Sequence, residues 1–87
     1  MLLAEAVARL RSAGVPDYFY VTDGGLGTGE CVGIEPAPGG GWSIYYSERG
    51  RKSPLESHPD EDSACRGFLK QVDRMMRGSG RGGVPGA

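Results

Sequence analysis

The residues of this 87-residue chain that could do chemistry are few. It has one histidine, His58, and two cysteines, Cys31 and Cys65, far apart in the sequence. Covalent or acid–base catalysis needs a nucleophile, a base and a group that orients the base, all within hydrogen-bond reach. His58 stands beside Pro59 at the expected start of a helix, so it reads as an exposed, incidental histidine. Cys65 falls on an apolar stripe, where burial disfavours the thiolate. Glu48 and Glu56 could pair for acid–base work, but two carboxylates on neighbouring strands read first as solvated surface. Two thiols and one imidazole do not make a four-ligand zinc site. No catalytic residue, cofactor or metal ligand is expected, and the chain does not read as an enzyme.

The run Asp23-Gly-Gly-Leu-Gly-Thr-Gly29 invites a phosphate-binding reading. A P-loop needs Lys and then Ser or Thr after its last glycine, and Glu30 and Cys31 stand there instead. A dinucleotide fingerprint needs a helix N-terminus behind the loop, whereas a strand follows here. Asp23 and Glu30 would also repel a phosphate. The run reads as a flexible loop.

The elements that position these residues begin with an apolar stripe at Leu2, Leu3, Ala6, Val7 and Leu10. It predicts a helix at about 2–13, ended by Gly14 and Pro16. Asp17–Thr22 is a possible short strand, with Phe19 and Val21 inward and Tyr18 and Tyr20 outward. Glu30–Glu35 is a second strand, joined to a third by the Pro36–Gly41 loop. That third strand, Trp42-Ser-Ile-Tyr-Tyr-Ser-Glu-Arg-Gly50, is the strongest strand signal in the chain. Alternation sends Trp42, Ile44 and Tyr46 to the core, and Ser43, Tyr45 and Ser47 to solvent or a partner. Lys52–Ser57 is a weaker strand, placed at a sheet edge because Pro54 lacks a ladder donor. Ser57 or His58 is expected to cap a last helix at about 59–77, whose stripe is Ala64, Cys65, Phe68, Leu69, Val72, Met75 and Met76. The expectation is one α+β domain over 1–77: a helix, three or four antiparallel strands and a helix, with both helices on one sheet face and the other open. Residues 78–87, rich in glycine and without periodicity, are expected to be disordered.

The formal charge is −1. All 11 acids and eight of the ten bases lie in residues 1–76, leaving that part at −3, while Arg77 and Arg81 give the remainder +2. A nucleic-acid binder would show a concentrated basic face, and none is present. Nothing resembles an export signal or a membrane span, so the chain reads as cytoplasmic with reduced cysteines.

Gly14-Val-Pro16, the Tyr20–Gly25 segment, Trp42–Gly50 and Ala64-Cys65 with the stripe at Phe68, Leu69 and Val72 together resemble a group of short bacterial immunity proteins, made beside polymorphic or contact-dependent toxins. The likeness spans about residues 2–76. Leu55 stands where the group has phenylalanine, and Ser57-His-Pro-Asp-Glu-Asp62 opens the last helix in place of Ser-Glu. The resemblance implies binding to a cognate toxin domain, a nuclease or another toxin acting in the cytoplasm, by a protein monomeric when free. Such a protein needs a stable surface with aromatic anchors, and acids that speed encounter with a basic partner. The candidates for that surface are Tyr18, Tyr20, Asp23, Glu30, Tyr45, Glu48, Asp60, Glu61 and Asp62. The alternative is a non-catalytic structural or regulatory module that self-associates through its open sheet face.

Overall fold

The stripe that begins at Leu3 folds as α1, Leu3–Ser12, in a computed structural model that describes residues 1–27, 29–80 and 82–84. Gly14, at φ 78°, closes the helix end, and Val15 N donates back to Leu10 O at 3.0 Å. A 3-10 turn, Asp17–Phe19, leads into β1, Tyr20–Val21. β2 (Cys31–Pro36), β3 (Trp42–Glu48) and β4 (Arg51–His58) follow, and α2 (Glu61–Gly78) completes the order.

The sheet order is β1-β2-β3-β4. β2–β3 and β3–β4 are antiparallel, but β1 runs parallel to β2, so the sheet is mixed and not all antiparallel as expected. The direction follows from the glycine-rich connection, which crosses the back of the sheet before entering β2 instead of turning tightly beside it. Tyr20 pairs with Val32 on the helix side, and Val21 with Gly33 on the other. Tyr20 is accordingly half-buried beside Phe68, their ring centroids 6.3 Å apart, and does not point outward as the alternation suggested.

α2 lies across β2, β3 and β4, and α1 packs alongside it. Its apolar face (Ala64, Cys65, Phe68, Leu69, Val72 and Met76) meets Val32, Ile34 and Ile44 of the sheet and Ala6 and Leu10 of α1 in one core. The N-cap of α2 is Asp60, whose Oδ1 accepts from Ser63 N at 2.8 Å. Ser57 and His58, the expected caps, belong to β4, because the edge strand runs longer than its propensity suggests.

β4 lies at the edge, as Pro54 required. The two-residue turn Arg49-Gly50 makes Glu48 and Arg51 a hydrogen-bonded pair, so alternation leaves the Pro54 nitrogen on the solvent side, where no donor is missed. The register then shifts between Ile44 and Tyr45: Ile44 faces Glu56 and Tyr45 faces Pro54, with Leu55 as the extra residue. The bulge switches the sides of the strand. Lys52 lies over the Tyr45 ring on the back of the sheet, while Glu56 reaches Gln71 of α2 on the front.

Within the segment 78–87, which was expected to be disordered, residues 78–80 and 82–84 are described, and residues 81 and 85–87 lie outside the described residues. The Val84 side chain is buried against the core, and its N–H donates to Asp73 Oδ1 at 2.6 Å. An apolar residue from a glycine-rich sequence thus occupies a site beside α2.

Candidate functional site

The back of the sheet was expected to be open, with Tyr45 as its exposed anchor. Tyr45 is 2% exposed. Its ring lies flat on Gly33, where any Cβ would overlap it, and its hydroxyl donates to Gly25 O at 2.6 Å. Ser47 Oγ donates to Leu26 O, and Cys31 Sγ reaches the same carbonyl at 3.5 Å. The glycine-rich segment therefore straps the back of the sheet. Burial, then the nearby Glu35 charge, push the Tyr45 phenol up to about 12. As an open contact residue Tyr45 is corrected to a core residue of this second face; alternation identified its side of the sheet but not what covers it.

Its neighbour Tyr46, assigned to the core by alternation, is half-buried at one end of the helix-side face. Its hydroxyl donates to Glu30 Oε1 at 2.6 Å. That bond, followed by burial and the charges of Glu30 and Glu48, holds the phenol well above its ordinary range. Pairing of Cys31 with Ser47 carries Glu30, just before β2, toward Glu48 of β3, so two acids converge on one phenol. Such a like-charge juxtaposition is unfavourable by itself. The only ion pair of either acid among the described residues is a 4.0 Å contact from Glu48 to the exposed Arg49. Tyr46 is the residue that sequence reasoning missed. Counting the hairpin register back from the Pro36–Gly41 loop puts Tyr46 opposite Val32 and Glu48 opposite Glu30, which makes Glu30 the diagonal neighbour of Tyr46.

Tyr18 is 55% exposed, its ring edge-on to Phe19 at 5.1 Å. Phe19, Glu30, Tyr46, Met75, Gly78 and Ser79 line a hollow of about 510 Å3 at the same end of the molecule. The structure thus gathers Glu30 and Glu48 at Tyr46, with Tyr18 at the margin through its neighbour Phe19.

The remaining candidates are held in local structure. Asp23 accepts from Gly25 N at 2.9 Å and shapes the strap. Tyr20 bonds Asp17 at 3.3 Å. Asp60 caps α2, Glu61 accepts from Leu3 N at 2.7 Å, and Asp62 accepts from the amino group of Met1 and pairs with Arg66. The acidic start of α2 thereby ties down the start of α1.

His58 is not the exposed histidine expected. Its Nε2 lies 2.7 Å from Glu56 Oε1, and Gln71 Nε2 donates to Glu56 Oε2 at 2.6 Å. The pair sits over Gly67 of α2, where any side chain would overlap both. Burial works to raise the Glu56 pKa, but the bonds from Gln71 and His58 outweigh it and hold the carboxyl below its usual range. A tethered imidazole of this kind could relay a proton. Glu48 contributes nothing to it and lies with Glu30 instead. Both cysteine thiols are free and buried, and burial pushes both up. Among the described residues no group of acids, histidines and cysteines could hold a metal ion, and no helix is long and apolar enough to cross a membrane.

Comparisons with protein-family models, with curated proteins and with solved structures found no match.

Proposed function

We propose that this chain is an immunity protein that neutralises a cognate bacterial toxin domain by binding it directly, without chemistry of its own. The observation that carries the reading is the rim where Glu30 and Glu48 converge on Tyr46 beside the exposed Tyr18. Two like charges held together at one phenol cost stability, and such a cost is recovered when a basic partner docks. Tyrosines bring contact area with little side-chain entropy to lose. An interface of roughly 1,600 Å2 in total would take a large share of so small a surface. The partner is a toxin with a basic face, as in a nuclease, and the chain is monomeric until it meets that partner.

The test is co-expression with the product of the neighbouring gene, the expected toxin. Wild type should protect the cell, and the double variant Glu30→Lys/Glu48→Lys should not, although circular dichroism finds it folded. Equal protection by a folded double variant would remove the rim from the interface. Tyr45→Ala is a poor probe, because it empties the back of the sheet.

A further inference from the structure

A second hollow, of about 260 Å3, opens between the β4 bulge and α2. It shares Tyr46 and Met75 with the hollow beside Glu30, so the two form one cleft along the C-terminal half of α2. Its middle is apolar: Tyr46, Met75 and Leu55, the last being the extra residue of the bulge and 41% exposed. Its ends carry opposite charge. At one end stand Glu30 and the carbonyl end of α2 at Gly78, both negative. At the other stands the exposed Arg74, which belongs to no ion pair among the described residues, although its charge lies near Glu56.

We infer that this cleft receives one segment of the partner, an apolar stretch with a basic residue at the Glu30 end and an acidic residue at the Arg74 end. The inference rests on the inhibitor reading and adds the chemistry of the partner's contact. Opposite charges at the two ends fix the direction in which the segment lies, since the reversed segment would place like charges together. The segment is held by side chains and not as an added strand. Pro54 lacks a donor on the open edge of β4, and the bulge breaks the edge beside it.

The probe is a displayed library of random ten-residue peptides, selected on the full chain. Enriched peptides should carry a basic residue and an acidic residue on either side of an apolar pair. Glu30→Arg and Arg74→Glu should each weaken them at least tenfold, and exchanging the peptide charges should restore binding to the Glu30→Arg/Arg74→Glu double variant. Both side chains are exposed, so the variants should fold, and thermal melts check this. No enriched peptide, or peptides indifferent to both charge changes, would overturn the inference. The same single variants are then tested against the toxin. Undiminished toxin binding by folded Glu30→Arg and Arg74→Glu would overturn the cleft while sparing the inhibitor reading. Absence of any toxin complex would remove that reading, and the peptide selection still judges the cleft.

Discussion

Tyr45 and Tyr46 are adjacent, have the same side chain and do opposite work. Tyr46 ends in a solvent-facing bond to Glu30 that any rotation could break, whereas the Tyr45 hydroxyl is locked under the strap. The pH dependence separates them. Tyr45 titrates near 12 in the folded chain and near 10 when unfolded, so its contribution is complete below pH 10 and is lost as pH rises to about 12. A shift of this size corresponds to about 2–3 kcal/mol across that window. In Tyr45→Phe the alkaline loss of stability should be shallower by about that amount, and the variant should be less stable by about 1 kcal/mol at pH 7 because Gly25 O loses its donor. Urea melts at pH 7, 10 and 11.5 measure both. At the acid end Glu56 acts with the reverse sign: its lowered carboxyl pKa stabilises above the ordinary carboxylate range, and that contribution fades as pH falls through the folded value.

At the scale of elements, the strap and the β3–β4 hairpin hold most of what the sequence concealed. Gly33 has no side chain because the Tyr45 ring occupies that space. Gly33→Ala should displace the ring, release the strap and cost about 2–3 kcal/mol, seen in a lower melting temperature and in faster proteolysis within residues 22–30. Arg49 sits at φ 51° beside Gly50 at φ 77°, in a turn that favours Asn-Gly. Arg49→Asn should therefore stabilise by about 0.5–1 kcal/mol, a rise of about 2–8 °C in melting temperature for a domain of this size. α2 was legible because its stripe runs unbroken from Ala64 to Met76, and the β4 edge because Pro54 allows no other place. The direction of β1 was not legible, since two residues pair equally well either way and only the path of the glycine-rich segment decides. That same path buried Tyr45, whose alternation was read correctly. Asp60 was passed over as cap because β4 was drawn one residue short.

As a whole molecule the chain is a four-stranded mixed sheet covered by two helices on one side and by a glycine-rich strap on the other. The strap covers Tyr45, Ser47 and Cys31 on the sheet face that was expected to be open. The surface proposed for a partner is the end where Glu30 and Glu48 converge on Tyr46, continued by the cleft along α2. Of the nine sequence candidates, Glu30 and Glu48 come together there with Tyr18 at the margin. Asp60 caps α2, Glu61 and Asp62 join its start to that of α1, Asp23 shapes the strap, and Tyr20 and Tyr45 fill the two faces. Spacing identified residue types suited to an interface. It did not reveal which would be brought together, because that depends on hairpin register and a bulge. The most direct measurement is size-exclusion chromatography of the chain co-expressed with the product of the neighbouring gene, run at low and high salt. A one-to-one complex that co-elutes, weakens with salt and is lost in Glu30→Lys/Glu48→Lys is expected. Separate elution of the two wild-type proteins at low salt would contradict the inhibitor reading.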